Sequence, residues 1–157
     1  MTCHVTHWSW DHLIWDVSAL VVLGLVCEAY SRRAFVWSVV SSALVIPLAL
    51  AALVPEVATY RGLSGIDSAV FVALAVMLLG ERLRTRQFVE AAVYAAVLAA
   101  FAGKIGFEYV AGATLFVDSG ASGFTPIPLA HVVGGLAGGL CGGYATLIAR
   151  RENDSTG

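Results

Sequence analysis

Four polar side chains in an otherwise apolar chain have the types and positions that acyl chemistry needs. Ser64 lies in Tyr60-Arg61-Gly62-Leu63-Ser64-Gly65, a small-residue turn at which a polar loop gives way to an apolar helix. A serine hydroxyl is a weak nucleophile until a base takes its proton, and histidine has the ordinary pKa for that task. His131, far downstream at the head of the last apolar segment, is one such base. The first turn of a helix also offers backbone N–H groups with no intrahelical acceptor, which suit a developing oxyanion. Gly62 and Gly65 flank the serine and permit tight turns or close approach. A plainer role for Ser64, that of a helix N-cap, stands beside this one. The turn does not have the G-x-S-x-G form of the nucleophile elbow in soluble hydrolases.

His12 and Asp16 complete the set. They are four residues apart at the start of the first apolar segment, so they share a helix face. They lie at the same depth as Ser64 and His131. Behind His131 run Gly135, Gly139 and Gly143, with Gly134, Gly138 and Gly142 as a second ridge beside them. Small residues four apart let membrane helices approach closely. The expectation is that Gly135 and Gly139, on the ridge that His131 heads, carry the packing. His12, Asp16 and His131 could also be three metal ligands, but H-E-x-x-H is absent and no Glu stands as a base. No metal and no cofactor is expected. Asp67 is either an orienting partner for the base or an interfacial polar residue. His4 and His7 are expected as solvated interface residues. Glu28 with Arg32, and Lys104 with Glu108, are read as structural ion pairs at helical spacing.

These side chains need a scaffold, and composition says which kind. Of 157 residues 59% are hydrophobic and 13% charged, with a mean hydropathy of +0.81. A soluble domain carries about 25% charge, and a domain of this size has too much surface to hide the apolar excess. Lipid is therefore the solvent for much of the chain. The net charge of −2 gives no sign of a nucleic-acid partner. Three scattered cysteines without C-x-x-C make neither a disulfide frame nor a zinc site. The N-terminus lacks the basic and apolar regions of a signal peptide.

Membrane helices need about 20 apolar residues, and five segments qualify or nearly so. They are 13–30, 34–54, 64–80, 88–103 (or further, through Phe107) and 127–149, followed by a tail, 150–157. The connectors after the first, third and fifth hold seven of the nine Lys and Arg residues. By the positive-inside rule those connectors and the tail are cytoplasmic. The N-terminus, the 55–63 loop and the Gly/Ser/Thr-rich loop around 107–126 then face outward, with Ser64 and His131 near that side. An outward N-terminus without a preceding helix is awkward to insert: either the chain inserts as a hairpin or an upstream helix is missing, and the second is the expectation.

The motifs together resemble the rhomboid intramembrane serine proteases. That family has H-x4-H-x3-N on its second helix, G-x-S-G opening its fourth, and A-H-x3-G-x3-G on its sixth. The matching positions are His7, His12 and Asp16; Gly62, Ser64 and Gly65; and Ala130, His131, Gly135 and Gly139. The resemblance covers Thr6 to about Tyr144. It implies an all-α, rhomboid-like helical bundle in which the five helices match the family's second to sixth. It further implies a Ser64–His131 dyad, with the Ser64 N–H and the His12 side chain holding the oxyanion. Asp16 stands where the family has an asparagine, so it is either protonated or orients His12.

Within the family, His12-Leu13-Ile14-Trp15-Asp16, the Tyr60–Gly65 turn and Lys104 to Glu108 are most like the rhombosortase branch. That likeness implies transmembrane protein substrates with a C-terminal Gly-Gly sorting tail. It also implies a place in the bacterial cytoplasmic membrane with the site toward the periplasmic side. Two other readings remain. One is a pseudoprotease that binds transmembrane segments without cutting them. The other is a small transporter or scaffold in which Asp16, Asp67 and Glu108 carry protons.

Overall fold

The computed structural model describes residues 2–57, 59–113 and 127–155. A short 3-10 turn, Thr2–Val5, precedes four α-helices: α1, Trp10–Leu53; α2, Ser64–Arg84; α3, Phe88–Ala111; and α4, Pro128–Ser155. The described residues contain no strand. Three of the helices, α1, α3 and α4, are long and apolar enough to cross a membrane. The Gly/Ser/Thr-rich loop, apart from its ends, lies outside the described residues.

The helices expected at 13–30 and 34–54 both lie within α1, which is 44 residues long. Straight, it would measure about 66 Å, roughly twice the hydrocarbon core of about 30 Å. It is not straight. Ser31 has extended backbone angles (φ −157°, ψ 96°), and its hydroxyl accepts from the Ala34 N–H at 3.3 Å. That is N-cap geometry: Ser31 ends one arm and starts the next. The arms fold onto each other, so that the Phe35 ring lies over Gly24, where a Cβ would be 3.1 Å away. Ser9 caps the first arm by accepting from the His12 N–H.

The buried positions of α1 recur mostly four apart: His12, Asp16, Gly24 and Cys27 on the first arm, then Ala34, Ser38, Ser42, Ile46 and Leu50 on the second. This stripe packs against α2, which touches all three other α-helices. Protein surrounds α2, which explains why it carries most of the core: Ile66, Ala69, Val70, Val72, Ala73, Leu74, Ala75 and Met77. The outside of the bundle is apolar. Val89, Leu140 and Val110 are 82%, 77% and 88% exposed, the inverse of a water-soluble surface.

The contact between α2 and α4 is made by glycine. A Cβ on Gly134 would fall on the Gly65 carbonyl, one on Gly138 on the Ala69 carbonyl, and one on Gly142 would be 2.5 Å from the Ala73 oxygen. This corrects the expected packing ridge. Gly135 faces side chains of Phe101 and Val72, Gly139 meets only Val72 at 3.6 Å, and Gly143 meets nothing. The backbone-to-backbone approach belongs to the neighbouring ridge.

Three helix ends also differ from expectation. Helix α2 runs to Arg84 and α4 to Ser155, so the expected tail is helical through that residue. Helix α3 does not end at Gly103 but continues to Ala111, where Gly112 (φ +63°) donates to the Glu108 carbonyl. Gly103 and Gly106 lower helix propensity without breaking the helix, and only the left-handed glycine stops it. Lys104 and Glu108 therefore sit inside α3.

Candidate active site

The turn before Ser64 is held from beneath. Asp16 Oδ2 accepts the Leu63 N–H at 2.7 Å and lies 3.3 Å from both His7 Nε2 and His12 Nε2. The two imidazoles meet edge to face, 5.3 Å between ring centres. Gly62 crosses directly over this group with φ +128°, and a Cβ there would be 2.9 Å from His12 Cε1 and 3.0 Å from Asp16 Oδ2. The N-terminal turn braces the same loop. The Cys3 carbonyl accepts the Gly62 N–H at 3.1 Å, and His4 stacks edge-on against Tyr60 while reaching the Ala43 carbonyl at 3.2 Å. Outside this layer, the Arg61 guanidinium lies over the Trp8 ring at 4.6 Å.

His4 and His7 are thus not solvated interface residues. The His4 residue and the His7 side chain are each only 6% exposed. Burial lowers the His7 pKa below its ordinary value; Asp16 opposes that shift and His12 adds to it. The signal was available in the spacing, since both histidines precede a capped helix whose face carries His12 and Asp16.

Ser64 is the first residue of α2, and the N-cap is Leu63, which makes no side-chain cap bond. The serine hydroxyl is therefore not spent on capping, although the Ser64 carbonyl accepts from Ser68 Oγ. Gly65 is pinched between Ile46 Cδ1, the Ala130 carbonyl and the Tyr60 hydroxyl, with added Cβ distances of 2.7, 3.0 and 3.1 Å. The Tyr60 hydroxyl is buried beside Ser64 and Gly65. Burial pushes its pKa well above the ordinary phenol range, so it remains a donor next to the serine.

His131 lies on the first turn of α4, between Ala130 and Gly134, the two residues that press on Gly65. It is 6% exposed. No hydrogen bond joins Ser64 to His131; such bonds are often long before substrate is bound. One ring nitrogen is occupied. His131 Nδ1 is 2.9 Å from Glu108 Oε2 and 3.1 Å from Lys104 Nζ, and Lys104 and Glu108 are 2.8 Å apart. The reading of Lys104 and Glu108 as a pair of purely structural interest missed this third member. A glutamate inside an apolar segment was the available signal.

Asp67 does not orient His131. It is buried one turn below Ser64, and its Oδ1 has no partner among the described residues. Asp16 serves His7, His12 and the Leu63 N–H, which answers how a carboxylate stands in this position: it organises the turn. Among the described residues, no group of three or more His, Cys, Asp or Glu is placed to hold a metal ion.

Gly62→Ala should destabilise the fold, because a side chain at φ +128° costs on the order of 1–3 kcal/mol before the collision with His12 is counted. Gly103, inside α3 with open space around its Cβ position, is the control, where alanine should be neutral or gain up to about 1 kcal/mol. Unfolding midpoints of the two variants in one detergent check the contrast.

The family model for the Rhomboid domain matches residues 1–149. No curated protein and no solved structure gives a significant match. With 149 of 157 residues matched and three helices long and apolar enough to cross a bilayer, the chain is an integral membrane protein and belongs to the rhomboid family of intramembrane proteases.

Proposed function

We propose that the chain is an active serine endopeptidase that cleaves membrane-anchored proteins at or near a transmembrane segment. One observation carries this reading: the uncapped hydroxyl of Ser64 opens α2 at the point where Gly65 is pressed against Ala130 and Gly134, the residues flanking His131. His131 takes the Ser64 proton as Oγ bonds to the scissile carbonyl carbon. The C–N bond then breaks, and the leaving amine takes that proton. Water resolves the acyl-enzyme and regenerates the serine. The Ser64 N–H, free in the first turn of α2, and the His12 side chain stabilise the oxyanion, each donor contributing about 10²–10³ in rate.

In this reading α1 crosses the bilayer twice, bending at Ser31, so the chain spans five times. The arginine-rich connectors lie in the cytoplasm, and the site opens toward the outer face of a bacterial cytoplasmic membrane. Substrates are transmembrane proteins whose small residues let a helix unwind and bare its carbonyls. The rhombosortase-like residues favour C-terminal Gly-Gly sorting tails, with an amine replacing water where the new end is transferred rather than released.

A fluorophosphonate probe should label the wild-type chain at Ser64, and Ser64→Ala should remove both labelling and tail cleavage. Cleavage that persists in Ser64→Ala sinks the proposal. A wild-type chain that folds and binds transmembrane segments but neither labels nor cuts is a pseudoprotease.

A further inference from the structure

Helix α3 faces outward almost everywhere and buries only Ala91 and Glu108. Its most buried residue is thus a glutamate, 1% exposed. Its carboxylate contacts Nδ1 of His131 at 2.9 Å, which leaves Nε2 as the nitrogen for proton exchange with a serine. A structural ion pair with Lys104, which is four residues earlier and 17% exposed at its side chain, does not require that placement.

Nδ1 of His131 has two mutually exclusive choices. It can carry hydrogen and donate to Glu108, or carry a lone pair and accept from Lys104. An ammonium only donates and an ionised carboxylate only accepts. In the first case Nε2 keeps its lone pair and the ring is a base. In the second, Nε2 carries the hydrogen and the ring cannot take a proton from a serine. The first arrangement gives Glu108 two donors, Nδ1–H and Lys104, and leaves no group opposed. The second deprives a buried carboxylate of one donor, which is costly. Proton transfer from Ser64 adds a second demand on Glu108: the imidazolium formed would stand 3.1 Å from the Lys104 ammonium, and a carboxylate within 2.9 Å of both offsets their repulsion.

We propose that Glu108 is a positioning residue of the catalytic site: it fixes the Nδ1–H tautomer of His131 and neutralises the imidazolium, while Lys104 supplies the counter-charge that lets a carboxylate stay buried there. The dyad becomes a triad of Ser64, His131 and Glu108, in a family whose resemblance implied two members. This rests on the peptidase reading, and its test separates the two.

The experiment uses the full chain in lipid nanodiscs with nitrogen-15-labelled histidine, the His131 signals being identified by their loss in His131→Asn. Wild type should show hydrogen on Nδ1. Glu108→Gln, whose amide can donate to Nδ1, should move the hydrogen to Nε2 and lower kcat by about 10⁴-fold, the loss seen when a triad carboxylate becomes an amide. KM should stay within about threefold, since ground-state binding is untouched. Glu108→Asp should restore part of kcat and the Nδ1–H signal. Hydrogen on Nε2 in wild type, or wild-type kcat in a folded Glu108→Gln, overturns the proposal. The nitrogen spectrum needs no turnover. A chain that never cleaves therefore defeats the peptidase reading alone, and the Nδ1 position still decides the role of Glu108.

Discussion

His131→Ala should lower peptide cleavage by as much as about 10⁶-fold, the scale on which serine hydrolases respond to loss of the base, while leaving the bundle folded. The chemical half of this expectation follows from the serine. Without a base, the Ser64 hydroxyl must lose its proton unaided, and the leaving amine has no proton donor. The structural half follows from Glu108. Removing one partner of a buried charge normally costs several kcal/mol because the other is stranded. Here Lys104 remains 2.8 Å from the same carboxylate, so Glu108 keeps a counter-charge when the imidazole is gone. The measurements are cleavage rate and fluorophosphonate labelling beside an unfolding midpoint. Normal cleavage in His131→Ala would reject the mechanism. Lost cleavage together with a collapsed midpoint would show that the imidazole is chiefly structural.

Gly138→Val should be the most damaging substitution to the fold. Its Cβ would overlap the Ala69 carbonyl and lie 2.6 and 2.7 Å from the Ala69 C and Cα. Side chains can turn aside from an intruding methyl, but these are backbone atoms in the second turn of α2. The only relief is to separate α2 from α4. Ordinary overpacking costs about 1–3 kcal/mol, and a collision with no rotamer to yield should exceed that. The same separation would lift Ala130 and Gly134 off Gly65, so activity should fall with stability. Gly143→Ala, one turn further along the other ridge and into open space, should change neither. Equal midpoints for the two variants would show that the helix contact is not where the structure places it.

These contrasts mark what could be read from the chain. Apolar runs located the helices because a bilayer penalises any other spanning backbone. Their ends were less legible. Helix α3 passes two glycines and a charged pair before stopping at Gly112, and nothing local distinguishes Gly106 from the residue that stops it. The motifs singled out Ser64, His131, His12 and Asp16, and the structure places them in two groups near the start of α2. Which glycine ridge faces α2 was not legible. Gly134 and Gly135 differ by about 100° around the axis, and helix rotation is settled by the whole bundle. The same gap hid Glu108. Its spacing from Lys104 is visible in one dimension, whereas its contact with His131, 23 residues away, depends on how α3 turns. His4 and His7 were misjudged for a related reason, because a loop from beyond residue 57 covers them.

The clasp beneath the turn also has a bearing on biosynthesis. The parts that meet around Ser64 are residues 3–16, the 60–65 turn, Lys104 and Glu108, and finally His131. A ribosome delivers them in that order. While α4 is still being made, the serine has its supporting turn but no base, and Glu108 has its lysine but no imidazole to orient. On the proposed peptidase reading, a nascent chain in a crowded translocation site would carry an inert hydroxyl, and the capacity to cut neighbouring membrane segments would arise only once the last helix has docked.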